Sequence, residues 1–127
     1  MDSRTMSEGR SASANSPTEN LDVQRRMAEL GQRYLERTAG ELVQLQSLIE
    51  QVPGGDADAV KNIEVLAHRI RGSGAMFGFD LLSDVSGEIE LLAADAKHGL
   101  QLDRQSLHMR LAAMLRVLSF VLDSARR

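Results

Sequence analysis

The chain has 127 residues, 43% of them hydrophobic, which is enough for one domain with a single buried core. It has no cysteine, which excludes a disulfide framework and any thiolate metal site. With 3% aromatic residues, no tryptophan and a net charge of −3, neither base stacking nor phosphate-backbone binding is expected, so nucleic acid is a poor candidate partner.

Residues 1–17 (MDSRTMSEGRSASANSP) are small and polar and read as a flexible N-terminal tail. They contain no apolar run of the signal-peptide kind, and nowhere does the chain offer the roughly 18 apolar residues of a membrane span. A cytoplasmic protein without a membrane segment is the expectation. Met1 and the basic end Arg126-Arg127 suggest a stand-alone protein, a piece of a larger one being the alternative.

Order should begin near Ser16-Pro17-Thr18-Glu19, which offers an N-cap, a first-turn proline and a glutamate at the capping-box position. Apolar residues then recur at Val23, Met27, Leu30, Tyr34, Leu42, Leu45, Ile49 and Val52. That stretch is long for one helix, so a short first helix and a longer second one are expected, with the break near Gly31 or Gly40. Pro53-Gly54-Gly55 reads as a turn and Asp56 as the cap of the next helix.

In that helix Val60, Ile63, Ala67, Ile70, Gly74 and Phe77 follow the three-then-four spacing of a buried face. His68 falls one position outside the stripe, next to the core but facing water. An exposed imidazole is largely neutral near pH 7, with one ring nitrogen free to attack or bind. Taken alone it is most often a plain surface residue, but the glycines around it make that reading harder. Gly72 and Gly74 lie inside a helix-period segment, where each costs about 1 kcal/mol relative to alanine. Gly72 is one turn from His68 on the same face and would let a partner come close; Gly74 is on the stripe and would permit close helix packing. Gly78 reads as a left-handed C-cap.

A further stripe, Leu82, Val85, Ile89, Leu92 and Ala96, ends at His98-Gly99. Asp103 then caps a last helix with Leu107, Leu111, Met114, Leu118, Val121 or Leu122, and Ala125 inside. No stretch alternates with period two for long. The expected fold is all-α: an antiparallel four-helix bundle over residues 18–127, with a short additional N-terminal helix covering one end.

The run His68-Arg-Ile-Arg71-Gly72-Ser73-Gly74, followed by Phe77-Gly78-Phe79 and Leu81-Leu82, resembles the signature of the histidine-containing phosphotransfer (HPt) domain. It is especially similar to the version found in chemotaxis histidine kinases. The resemblance implies that His68 accepts a phosphoryl group, that Arg71, Gly72 and Gly78 stand at the family's Lys/Arg and two glycine positions, and that Glu90, twenty-two residues after the histidine, orients the imidazole. Two positions depart from the chemotaxis pattern: the usual lysine is Arg71, and a second histidine three residues before the glutamate is Gly87. Glu64, one turn before His68, competes with Glu90 for the ring.

The implied work is to carry phosphate on His68 between receiver-domain aspartates, or from a hybrid or chemotaxis-type histidine kinase to a response regulator. The partner's receiver domain would supply the Mg²⁺, and no metal or cofactor of the chain's own is expected. Docking would use Gly72 and Ala75 for close approach, Val65 for apolar contact, and Arg69, Arg71 and Glu64 at the polar rim. GSGAMFG lacks the strand-then-helix setting of a phosphate loop, so an ATP-dependent kinase is not expected. His98 and His108 have no metal-ligand spacing to His68. The rival class is a non-phosphorylated helical interaction or dimerisation module. A bundle-core metal enzyme is disfavoured because the stripes lack Glu-x-x-His ligands.

Overall fold

The computed structural model describes residues 16–127, so all of the expected tail except Ser16 and Pro17 lies outside the described residues. Four α-helices follow in order: α1 (Pro17–Glu50), α2 (Ala57–Met76), α3 (Asp80–Lys97) and α4 (Arg104–Arg126), with a 3₁₀ turn Val52–Gly54 after α1. The described residues are all-α, as the stripes require.

One expectation is corrected. Among the described residues there is no separate short N-terminal helix: α1 runs unbroken through Gly31 and Gly40. Extending an existing helix adds one hydrogen bond per residue, whereas a second helix needs a new nucleus. Around Gly40, moreover, Leu35, Thr38, Leu42 and Leu45 are all buried, and their packing outweighs a glycine's cost of about 1 kcal/mol.

The chain divides into two compact units at Arg33 and Tyr34. In the first, Ser16 caps α1 as expected, its Oγ accepting from the Glu19 N–H at 3.1 Å. Val23 and Met27, read as core from their spacing, are instead 59% and 62% exposed, and Leu30 is exposed with them.

The second unit, Tyr34–Arg127, holds the core. Leu35, Leu45 and Ile49 of α1 meet Ile63 and Ile70 of α2, Leu82 and Ile89 of α3, and Leu111 and Leu118 of α4 in one cluster. Each such side chain contributes about 2 kcal/mol by leaving water. In α4 the buried line runs Leu107, Leu111, Leu115, Leu118, Leu122, so Leu115 takes the place expected of Met114. Cross-helix contacts show the antiparallel order. Tyr34 meets Ser73 and Glu41 meets Arg69 between α1 and α2; Glu64 meets Lys97 and Arg71 meets Ser83 between α2 and α3.

The short link from α2 to α3 fixes the register of that pair. Phe79 N–H donates to Gly74 C=O at 2.8 Å and Gly78 N–H to Ala75 C=O at 3.1 Å, the two bonds of a Schellman cap, with Gly78 at φ 83°. Phe77 and Phe79 stack on Tyr34, with ring centroids 4.6 and 5.8 Å away. At Gly74 a Cβ would lie 3.3 Å from the Ser83 backbone nitrogen, so the missing side chain lets α3 come in close. Asp56 and Asp103 cap α2 and α4, accepting from Asp58 and Ser106 N–H at 3.0 and 2.7 Å. Gly78→Ala is expected to cost about 1 kcal/mol, because an L side chain resists the left-handed conformation. Urea unfolding measures it; unchanged stability would mean the cap re-forms with another geometry.

Candidate functional site

The site grows out of α2. His68 lies between the buried residues Ala67 and Ile70 but off their face, and its side chain is 63% exposed. The tight approach of α3 at Gly74 and Ser83 brings a second helix beside it. From α3, Glu90 presents Oε2 to His68 Nδ1 at 2.7 Å. Arg71, one turn after His68, sends Nε to 3.0 Å from Glu90 Oε1 and Nη2 to 3.3 Å from His68 Nδ1.

These contacts compete for one ring nitrogen, and their lengths decide the winner. If Nδ1 accepted from Arg71, its lone pair would face a carboxylate oxygen at 2.7 Å, two acceptors with no proton between them. The consistent arrangement has Nδ1–H donating to Glu90, a short charge-assisted bond, with Arg71 held near by its charge. In the neutral ring the remaining lone pair is then on Nε2, on the side away from Glu90. Glu90 is only 19% exposed, and Oε1 is closed off from solvent. Arg71 approaches that oxygen at ion-pair distance without aiming an N–H at it, so the attraction there is coulombic.

Glu64 makes its hydrogen bond elsewhere than at His68. Its Oε1 takes the Lys97 ammonium at 2.7 Å, and that bond holds its carboxyl below the usual range. Arg69 turns the other way, to Glu41 of α1 at 3.5 Å. Neither Lys97 nor Glu41 stood out in the sequence, because their partners lie 33 and 28 residues away with no local pattern linking them. Gly72 and Ala75 are exposed and continue the His68 face along α2, and Val65 is half exposed one turn before it. With Gly87, Leu91 and Ala94 of α3, Gly72 and Ala75 line a groove that Arg71 and Glu90, the two partners of His68, also border. A Cβ at Gly72 would meet nothing within 4 Å, so the helix surface one turn after His68 is open there. Among the described residues no group of three or more His, Asp or Glu is gathered as metal ligands, and no helix is long and apolar enough to cross a membrane.

The orienting assignment has a direct check. In Glu90→Ala the neutral ring should lose its bias toward the Nδ1–H form by up to a factor of about five, the worth of an exposed pair, while Glu64→Ala should leave it unchanged. Ring ¹⁵N shifts read the tautomer, and a loss confined to Glu64→Ala would transfer the role to that residue.

The site is thus an outward-facing imidazole held by a carboxylate and flanked by a guanidinium on an exposed helical face. The family model for the Hpt domain matches residues 29–119, and the chain belongs to that family. Its activity is thus of the histidine-phosphotransfer kind, in two-component signalling. Comparison with curated proteins and with solved structures gave no match.

Proposed function

We propose that His68 is the phosphoryl carrier and that the chain shuttles phosphate in the cytoplasm between receiver-domain aspartates, or from a hybrid or chemotaxis-type kinase to a response regulator. The observation that carries this reading is the 2.7 Å contact of His68 Nδ1 with Glu90, which leaves Nε2 as the nucleophile on an open face.

In the forward step the Nε2 lone pair attacks the phosphorus of a receiver's aspartyl phosphate. The N–P bond forms as the P–O bond to the aspartate breaks, and the carboxylate departs with the electron pair. The proton stays on Nδ1, donated to the Glu90 carboxylate, whose negative charge offsets the positive charge the ring acquires. The receiver brings the Mg²⁺ and most of the donors to the phosphoryl oxygens. Arg71, already 3.3 Å from the ring, adds a local positive charge. Gly72 and Ala75 give the receiver close access, Val65 an apolar contact, and Arg69 and Glu64 a polar rim.

The test mixes the chain with receiver domains charged by a small phosphodonor and maps the phosphate by mass spectrometry. Transfer to His68 is expected. A receiver that binds without transferring phosphate would establish the non-phosphorylated interaction module instead.

A further inference from the structure

Gly87 sits in the middle of α3, half-buried, where a glycine weakens a helix unless its missing side chain makes room for something. A Cβ built there would lie 3.0 Å from Arg71 Cδ and 3.7 Å from Arg71 Cγ, and would meet no other residue within 4 Å. One side chain therefore uses the space. The arginine stem crosses α3 over Gly87, and its guanidinium comes down one turn further on, at Glu90. Glu90 Oε1 is shut off from water and accepts no hydrogen bond, so the Arg71 charge is what compensates that oxygen.

We propose that Gly87 is a positioning residue: by leaving a path across α3 it holds Arg71 on Glu90, and through Glu90 it holds the His68 ring in the Nδ1–H form. A side chain at 87 meets the middle of the arginine stem, where swinging the tip aside brings no relief. Alanine displaces the stem by a few tenths of an ångström, and valine, with two more methyl groups, lifts it off the helix. The inference rests on the reading that the His68–Glu90 pair prepares the reactive ring, but its measurement is made on the unphosphorylated protein.

The experiment compares Gly87→Ala and Gly87→Val in the native chain and in an Arg71→Gln background, reading the His68 tautomer ratio from ring ¹⁵N shifts. In the native background Gly87→Val is expected to reduce the preference for Nδ1–H two- to fivefold, as loss of an exposed ion pair would, and Gly87→Ala to reduce it less. In Arg71→Gln neither change should reduce it further, since effects through a shared partner are not additive. An unchanged ratio in both native-background variants overturns the proposal, and so does the same drop with Arg71 removed. Alanine favours helix, so Gly87→Ala decides the matter by the same criteria if the valine variant does not fold. Failure of His68 to take up phosphate would count against the proposed function and leave this outcome standing.

Discussion

His68→Gln is expected to abolish acid-labile, alkali-stable phosphate incorporation and to leave folding stability within about 0.5 kcal/mol of the native chain. The side chain is mostly exposed and lies outside the core cluster, so its removal opens no cavity. Glutamine fills similar space and still offers a group to Glu90, but its amide nitrogen has no lone pair available for attack on phosphorus. No neighbour can substitute, because the other polar side chains in contact with the ring are a carboxylate and a guanidinium. Radiolabel transfer from a charged receiver, with circular dichroism as the folding control, reads both halves. Label that persists in the variant refutes His68 as the carrier.

The second large effect separates two glycines two residues apart. Nothing lies within 4 Å of a Cβ at Gly72, whereas one at Gly74 meets the Ser83 backbone nitrogen at 3.3 Å and the Phe79 carbonyl at 3.5 Å. Gly72→Leu should therefore fold normally but project a side chain one turn from His68, on the face proposed for receiver docking. Transfer is expected to slow at least tenfold, a loss of about 1.4 kcal/mol in the docked complex. Gly72→Ala, by contrast, should keep transfer and raise stability by up to about 1 kcal/mol. Gly74→Leu should do the opposite of Gly72→Leu. Backbone atoms cannot step aside, so overpacking costs about 1–3 kcal/mol and the α2–α3 pair is forced apart. Stopped-flow transfer and thermal melts on the three variants decide it. A native transfer rate in Gly72→Leu refutes the close-approach role.

Reading the glycines correctly from sequence depended on their position relative to His68 and to the stripe. Gly74 was legible as a packing glycine because it falls on the buried face, and Gly78 as a cap because it ends one apolar run before another begins. Gly87 stood out only as a departure from the resemblance. Its use became visible once Arg71 could be traced across α3.

What the sequence by itself determined is what neighbours along the chain decide. The caps at Ser16, Asp56, Gly78 and Asp103, the main buried positions of α2 to α4, such as Ile63, Ile70, Leu82, Ile89, Leu111 and Leu118, and the exposure of His68 follow from residues within about one turn of each other. Tertiary structure decided the choices among distant alternatives. Whether α1 broke at its glycines depended on Leu35, Thr38 and Leu42 finding a core. Which cation each carboxylate would meet depended on the register of α2 against α3, set by the close contact at Gly74 and Ser83. That register gives Glu64 to Lys97 and delivers Glu90 to His68 and Arg71. Coulomb attraction falls off within a few ångströms at a wet surface, so the partner is whichever charge the packed core brings within reach.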